Sequence, residues 1–403
     1  MLIKNAHIVL KDSIFFGDLR VDNGVIAKID DNIILKSNEK IYDAKKRYLL
    51  PKLIDTNVRL LDDTLNQKNI NDLLFQANSG GVSRFVLIDD FFPRIENATH
   101  LELLNSKMLN TSNYTKIILS SNSVNNENKL NNIATFLKNG AKILYSRSDI
   151  DGNLLVRVMQ YANMKSKPLF CFCEDKSIKN QGVINDGDIS FKLGLPGISK
   201  IAEISEVSKI VELATFFDIC ILFQGISTSK SIQILKAVKK DNKKVFTEVP
   251  IHNLLLNETE CDDFNTKAKL MSPLRSEHER KKMLLQLQNH EIDVLTSSHS
   301  PKSYIYKDVA FEDARDGTNA LSLTLKLGYT YLVRNKIISF SDFIKLVSTN
   351  PAKILSLDNC GEIKVGNEAN LLLFDDNYKY IVDDELSLYH NKQLYGKIEP
   401  VAE

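Results

Sequence analysis

The sequence lacks tryptophan and has only five cysteines, nine prolines and sixteen glycines in 403 residues. It has no uninterrupted apolar run of about 18 residues, which excludes a membrane-spanning helix. It also lacks an excess of charge, because 52 basic and 51 acidic side chains leave a formal net charge of +1. A nucleic-acid-binding protein needs a basic surface to neutralise phosphates, so we expect no nucleic-acid partner.

The cysteines do not form a metal-binding or disulfide framework. Cys171 and Cys173 lie too close together for a CxxC zinc motif, and Cys220, Cys261 and Cys360 stand alone. The first residues lack the charged and apolar regions of a secretory signal. We therefore expect small, buried, reduced thiols in a cytoplasmic protein.

Short apolar runs alternate with helix-like segments from residue 48 onward. Eight runs of four to seven residues can be counted, at 48–54, 84–89, 116–119, 141–145, 168–172, 219–224, 244–249 and 293–297. Their length and continuity favour strands that are buried on both faces of a parallel sheet. Eight strand–helix alternations predict an α/β fold, a (β/α)8 TIM barrel. A doubly wound sheet is the alternative, but no Gly-rich phosphate loop follows any strand.

Both ends of the chain have a β pattern instead. Segments 18–21 and 25–29 flank Asp22-Asn23-Gly24, which is typical of a hairpin turn. Three short strands are predicted near the other end, at 362–365, 370–374 and 378–382. Because a lone hairpin is marginally stable, we expect residues 1–50 and 353–403 to form one small β domain. The barrel domain then takes residues 51–352.

In a TIM barrel, catalytic side chains project from the carboxyl ends of the strands. The polar residues that follow the predicted strands are Asn57, Arg59, Asp149, Asp151, His252, Ser298 and His299. Among these, His299, His252 and Asp149 are the weak candidates for catalysis. For the two histidines, a residual acid–base pair or a mononuclear metal site is one interpretation. Two hydrogen-bonded pocket residues are the favoured one, because no carboxylate accompanies them.

Five further segments extend over most of the chain in a recognisable order. They read LPKLID (50–55), LGLPGI (193–198), PLRSE (273–277), STNPA (348–352) and GEIKVGNEANL (361–371). These segments resemble the dihydroorotase branch of the amidohydrolase superfamily. The resemblance implies a (β/α)8 barrel with a β-sandwich built from both termini, which agrees with the count of strands.

The positions of the family's metal ligands hold other residues here. The resemblance places an HxH pair at Asn57 and Arg59, histidines at Phe172 and Gly225, and the catalytic aspartate at Ser298. Phe and Gly offer no lone pair, and Arg keeps its proton in proteins. We therefore predict that the family's binuclear zinc site is absent and that no other cofactor replaces it.

The resemblance also places one metal-bridging carboxylate and three substrate contacts in this sequence. Either Asp149 or Asp151 matches the bridging carboxylate, because the loop is longer than usual. The substrate-contact positions hold Leu61, Met271 and either Phe92 or Asp90. The loss of a carboxylate clamp together with the metal argues against dihydroorotate as a substrate.

Arg59 has two open interpretations. Its guanidinium either points inward and pairs with Asp149 or Asp151, or it swings out to solvent. An inward arginine needs a partner because an unpaired buried charge is costly.

The favoured functional hypothesis is a catalytically inactive dihydroorotase-like protein. The resemblance implies a structural partnership with aspartate transcarbamoylase, a homo-oligomer, or both. The alternative is an active cyclic amide hydrolase with altered or metal-free chemistry, in which His299 or His252 is the base and Arg59 stabilises an oxyanion. The third hypothesis, a sensor that uses the emptied pocket, is less favoured because Phe172 and Phe92 would shrink that pocket.

Overall fold

Two sheets organise the chain in the computed structural model, which describes residues 1–95, 102, 104, 115–125 and 127–401. One sheet has eight strands and the other has seven. Over the described ranges, no helix combines the length and the apolar character that a membrane crossing requires.

The N-terminal segment forms most of the seven-stranded sheet. Its strands are Leu2–Val9 (β1), Ile14–Asp22 (β2), Val25–Asp30 (β3), Ile41–Asp43 (β4) and Tyr48–Pro51 (β5). The predicted hairpin is confirmed: β2 and β3 pair antiparallel, and Asn23 and Gly24 both adopt a positive φ.

The eight-stranded sheet is parallel and follows the chain order. Its strands are Leu53–Val58 (β6), Val82–Leu87 (β7), Lys116–Asn122 (β8), Ile143–Arg147 (β9), Leu169–Phe172 (β10), Ile221–Gln224 (β13), Val245–Pro250 (β14) and Val294–Thr296 (β15). A short pair, Ile184–Asn185 (β11) and Gly197–Ile198 (β12), lies outside it. The amide of Arg59 donates to the carbonyl of His299 at 2.8 Å, which joins the first strand to the last. The predicted TIM barrel is confirmed.

The C-terminal segment completes the seven-stranded sheet with two long strands, Leu371–Ile381 (β16) and Gln393–Pro400 (β17). The strand order is β17-β16-β5-β1-β2-β3, with β4 beside β1. The prediction that both termini build one β structure is therefore confirmed. The domain division at residues 50 and 353 stays a prediction.

Two strand predictions are wrong in detail. The run 48–54 is not one strand, because β5 joins the terminal sheet and the barrel strand begins only at Leu53. Both halves are apolar, so hydrophobic periodicity alone could not separate them. Segment 362–365 forms no strand, since the chain turns there and the Asn367 amide donates to the carbonyl of Lys364. Segments 370–374 and 378–382 belong to one strand, β16, which an irregularity interrupts after Asp375.

The helices cover the outside of the barrel and the segment that follows it. They are Gln67–Ser79 (α1), Ile133–Lys138 (α2), Gly152–Lys165 (α3), Lys176–Lys179 (α4), Asp188–Leu193 (α5), Ile201–Phe216 (α6), Ser229–Lys239 (α7), Ile251–Leu255 (α8), Glu277–Gln288 (α9), Tyr304–Lys307 (α10), Thr324–Leu327 (α11), Phe340–Ile344 (α12) and Asn350–Ile354 (α13). Side-chain oxygens cap several of them: Asn66 accepts from the third amide of α1, and Thr228 does the same for α7.

The core is largest between the barrel strands and these helices. A smaller core lies on the terminal sheet and includes Ile3, Leu19 and Leu373. All five cysteines are free thiols, and four of them are buried, as expected for small core residues.

Candidate functional site

Arg59 follows β6 and points inward, with only 2% of its surface exposed. Its Nε donates to Oδ2 of Asp90 at 2.6 Å, and its Nη1 donates to Oδ1 of Asn57 at 2.5 Å. Burial alone would lower the pKa of Arg59, but the charges of Asp90 and Tyr145 raise it above the ordinary value. The guanidinium is therefore a permanent cation at the barrel mouth. The expected pairing with Asp149 or Asp151 is wrong, and so is the solvent-exposed alternative.

The two aspartates after β9 have other partners. Asp149 lies 3.3 Å from Nε of Arg147 and 2.6 Å from Nζ of Lys176. Asp151 caps α3, because its Oδ1 accepts from the amides of Asn153 and Leu154. The chain enters a helix directly after this loop, and a helix start needs an oxygen acceptor for its free amides. The Asp151 carboxylate is therefore used to cap α3 and is not available to pair with Arg59 across the barrel.

Glu248 in β14 is a buried member of the site that the sequence analysis missed. Its carboxyl group accepts from the Thr56 hydroxyl at 2.5 Å and from Nδ2 of Asn57 at 2.8 Å. Burial raises the pKa of Glu248 to about 7, although these hydrogen bonds by themselves would lower it. Asn57 contacts both Arg59 and Glu248, and Arg59 also contacts Asp90, so one polar network joins β6, β14 and the segment after β7. The available signal was a glutamate inside the predicted strand 244–249.

Asp55 ties the first barrel strand to the last one. Its Oδ1 accepts from the Thr296 hydroxyl at 2.6 Å, and its Oδ2 accepts from the Ser297 amide at 2.9 Å. Burial raises the pKa of Asp55, and these hydrogen bonds limit the rise. The buried carboxylate therefore supports closure of the barrel.

Phe172 and Gly225 stand where the resemblance places two histidines. The Phe172 ring is 5% exposed, and the guanidinium of Arg147 lies 4.9 Å from its centroid. Gly225 has a φ of +67°, and a Cβ there would lie 2.6 Å from Oγ of Ser272 and 2.9 Å from the Phe172 ring. Because nothing larger than hydrogen fits at position 225 without movement, a histidine cannot be accommodated there in this conformation.

Little space remains around Met271 and Ser298 or beside Phe172 and Gly225. One cavity reaches Met271 and Ser298, and another reaches Phe172, Gly225 and Met271. Each has a volume of about 10 Å³. That is roughly the space that one water molecule occupies, so neither cavity admits a substrate in this conformation.

Two of the predicted substrate-contact positions, Leu61 and Phe92, line neither of these two cavities. Phe92 is 75% exposed, because its backbone is held by Asp63 and Leu65 and its ring points outward. The expectation that Phe92 narrows the pocket is therefore wrong. Leu61 lies in a short 3-10 turn and lines a separate cleft.

His252 is buried with both ring nitrogens engaged. Its Nε2 lies 2.9 Å from the carbonyl of Ser297, which can only accept, so Nε2 donates. Its Nδ1 lies 2.7 Å from the Tyr389 hydroxyl and accepts from it. Burial lowers the pKa of His252 to about 4. The ring is neutral at pH 7 and has no free lone pair.

His299 is also fully buried, and its Nδ1 accepts from the amides of Ala320 and Leu321, each at 3.2 Å. The neutral ring therefore carries its proton on Nε2. Burial, followed by the charge of Lys302, lowers the pKa of His299 to about 3. Neither histidine presents the basic nitrogen that a general base requires.

The side chains at the family's ligand positions do not fit zinc. Zinc selects imidazole, thiolate and carboxylate ligands. The five positions offer instead the amide of Asn57, the guanidinium of Arg59, the phenyl ring of Phe172, no side chain at Gly225 and the hydroxyl of Ser298. Over the described ranges, no three His, Cys, Asp or Glu side chains come together as a metal site.

Comparison with known proteins gives consistent results along the whole chain. A Dihydro-orotase-like family model matches residues 46–226, and an Amidohydrolase family model matches residues 200–398. A dihydroorotase of Carboxydothermus hydrogenoformans is 30% identical, over 97% of this chain and 92% of the relative. A probable dihydroorotase-like protein of Helicobacter pylori (strain 26695) is 27% identical, over 99% of this chain and 95% of the relative. The L-hydantoinase structure from Arthrobacter aurescens superimposes with a TM-score of 0.87 at 19% identity, covering 99% of this chain and 93% of that one, which supports the fold.

Proposed function

Because the chain belongs to the dihydroorotase-like family of amidohydrolases, we propose that it is a catalytically inactive member that has kept the barrel and lost the metal centre. The observation that carries the proposal is Arg59. Its guanidinium is buried at a position where the family has a zinc ligand, and Asp90 and Asn57 hold it there. A fixed cation repels a dication, so this arrangement disfavours zinc even where a carboxylate is near.

The surrounding packing supports the same proposal. The Phe172 ring and the Ser272 hydroxyl leave no room for a side chain at Gly225, and the two cavities beside Phe172, Met271 and Ser298 are the size of a water molecule. A single substitution to histidine at Gly225 would therefore not restore a zinc ligand, because its side chain would clash with Ser272 and Phe172.

The alternative, a metal-free cyclic amide hydrolase, needs a base that activates water. His252 and His299 are the nearest candidates, but hydrogen bonds occupy the lone pair of each ring. Glu248 has a pKa of about 7, yet it is fully buried among Thr56, Asn57 and Gln224. A catalytically inactive protein is therefore better supported than a metal-free hydrolase.

Turnover measurements test this proposal directly. We expect no hydrolysis of dihydroorotate, and no cyclisation of its open product, with or without added zinc. The Carboxydothermus dihydroorotase, assayed in the same buffers, is the positive control. Zinc-dependent turnover that co-purifies with this chain through two columns would show that the proposal is wrong.

For a role without catalysis, we propose structural assembly with aspartate transcarbamoylase, which the family resemblance implies, and association between copies of the chain. Assembly requires exposed apolar contacts. Phe191 on α5 is 91% exposed and Phe216 on α6 is 80% exposed. These outer helices therefore offer apolar contact points.

Co-expression with the transcarbamoylase of the same organism tests the partnership. We expect the two chains to co-elute in size-exclusion chromatography and Phe216→Ser to weaken the complex. Lys165→Ser, a change of a polar residue at the end of α3, is the control. Separate elution of the two chains, with normal assembly of the enzyme alone, contradicts the partnership and leaves the proposed inactivity untouched.

A further inference from the structure

A groove of about 500 Å³ runs between α7 and α9 on the outside of the barrel. Each helix lines it with side chains at positions i, i+3, i+4 and i+7, which lie on one side of a helix. The row on α7 consists of Gln233, Lys236, Ala237 and Lys240, and the row on α9 consists of Lys282, Leu285, Gln286 and Asn289. Each row is about 10 Å long, because a helix rises about 1.5 Å per residue. None of these residues lies at a strand end of the barrel.

Contacts between the two helices fix the walls of the groove. The Ser229 amide at the start of α7 donates to Oε1 of Glu279 at 2.6 Å, and the Ser229 carbonyl accepts from Nε2 of Gln286 at 2.9 Å. Further along α7, the ammonium of Lys236 donates to Oε1 of Glu291 at 2.5 Å. Both walls are therefore in place before a partner binds, which lowers the entropy cost of binding.

The groove has an excess of positive charge. Its lining contains three lysines, Lys236, Lys240 and Lys282, and one carboxylate, that of Glu291. The Glu291 carboxylate is already paired with Lys236. Lys240 and Lys282 are exposed, and neither forms an ion pair with any residue that the structure describes. Two ammonium groups at the groove are therefore available to an acidic partner.

Exposed apolar side chains lie among these lysines. Leu285 on α9 is 59% exposed, and Ala237 on α7 is exposed as well. The hydrocarbon stems of the lysines extend this apolar surface. An inorganic anion or a nucleic-acid backbone would use the ammonium groups and leave Leu285 in water. A protein segment that carries both carboxylates and apolar side chains is complementary to the whole groove.

We propose that the groove between α7 and α9 binds an acidic amphipathic helix of a partner protein. The carboxylates of that helix pair with Lys240 and Lys282, and its apolar side chains pack on Leu285 and Ala237. Two parallel rows of two turns each match a helix that lies along the groove. This surface is separate from the exposed phenylalanines of α5 and α6. The proposal rests neither on catalytic inactivity nor on the transcarbamoylase partnership.

The probe is the fluorescein-labelled peptide SPEELLEDLLEELE, whose leucines lie on one face when it is helical. The matched probe, SPEESSEDSSEESE, keeps every carboxylate and has serine in place of each leucine. Fluorescence anisotropy measures binding at an ionic strength of about 0.15 M. We expect saturable binding of the leucine peptide with a Kd of about 100 μM, as for a small exposed interface. The serine peptide should bind at least about five-fold more weakly, because it buries no apolar surface.

Two double variants with the same loss of charge locate the site. Lys240→Ser with Lys282→Ser removes the two unpaired lysines of the groove. Lys230→Ser with Lys281→Ser removes the same charge from the same two helices outside the groove. We expect the first pair to weaken the leucine peptide about ten-fold, because two ion pairs are lost. The second pair should weaken it no more than about two-fold, because salt screens distant charges.

A single variant tests the apolar contact. Leu285→Ser should weaken the leucine peptide about five-fold, whereas Ile201→Ser on α6, at a position that is 49% exposed, should leave the Kd unchanged. The proposal is overturned if binding does not saturate up to about 1 mM. It is equally overturned if the two double variants bind alike or if both peptides bind alike, since overall charge alone then attracts them. A labelled single-stranded DNA that binds more tightly through Lys240 and Lys282 would also overturn it. None of these outcomes bears on dihydroorotate turnover.

Discussion

Replacing Asp90 by asparagine is the most direct perturbation of the Arg59 network. The substitution preserves the size of the side chain and one oxygen acceptor, but it removes the negative charge. Arg59 then remains 97% buried without its nearest counter-charge, since its side chain is only 3% exposed. Asn57, which also accepts a hydrogen bond from Arg59, is neutral.

The magnitude follows from the geometry of the pair. Two unit charges about 4 Å apart attract by about 4 kcal/mol at an effective dielectric constant of 20. Removing one partner of a buried pair costs about 3–5 kcal/mol in measured cases. Asp90 is 26% exposed, so water already screens part of its charge. We therefore expect Asp90→Asn to lower the free energy of unfolding by about 2–3 kcal/mol.

Urea unfolding followed by circular dichroism at 222 nm measures this loss. The matched control is Lys192→Met, which breaks the ion pair with Asp262, whose side chains are 58% and 36% exposed. That surface pair should contribute less than about 1 kcal/mol. In thermal unfolding, Asp90→Asn should lower the Tm by about 2–4 °C, and the control by much less.

One result would refute the reasoning. If Asp90→Asn and Lys192→Met change the stability equally, Arg59 is not a cation held by Asp90, and the argument against zinc loses its main support. Arg59→Met in the Asp90→Asn background provides a further check. Once the unpaired cation is gone, part of the lost stability should return.

Three further predictions concern zinc, position 225 and pH. Protein dialysed against zinc should keep fewer than about 0.2 zinc ions per chain by elemental analysis, and two per chain would contradict the proposed loss of ligands. Gly225→Ala should lower the free energy of unfolding in urea by about 1–3 kcal/mol. In the control, Gly152→Ala, the added Cβ meets nothing within 4 Å, so the free energy of unfolding should change by about 0.5 kcal/mol or less. Equal effects of the two substitutions would show that position 225 is not tightly packed. The pKa of Glu248 is raised in the folded state to about 7, so its stabilising effect is complete below the unfolded value near 4.5 and is lost as the pH rises through 7. Glu248→Gln should therefore remove a stability decrease of roughly 2–3 kcal/mol between pH 5 and pH 8, and an unchanged pH dependence would argue against burial as the cause.

The strand ends of the barrel were accessible from the sequence because they depend on local patterns. A run of four to seven apolar residues marks a strand buried on both faces, and the next few residues must lie at one end of a parallel barrel. The places of Asn57, Phe172 and Ser298 follow from that rule. The family resemblance then led to the prediction, from the sequence alone, that these positions hold no metal ligand.

The partner of Arg59 could not be found in this way. Asp90 follows a neighbouring strand in the barrel, while the loop after β9 offered two aspartates that seemed as suitable. Only the folded chain shows that Asp151 is taken by a helix start and Asp149 by Arg147 and Lys176. Competition among nearby groups decides such pairings, and it depends on distances of a few ångströms.

The sequence by itself therefore determined the architecture and the family, because hydrophobic period and motif order are properties of the chain; the loss of the metal ligands is a proposal that the family resemblance suggests. The tertiary structure decided which carboxylate pairs with Arg59 and which carboxylate is buried beside Asn57. Thr56 and Glu248 are 192 residues apart in the chain and 2.5 Å apart in the barrel. Contacts of that kind arise only when the barrel closes and brings the ends of separate strands into one space.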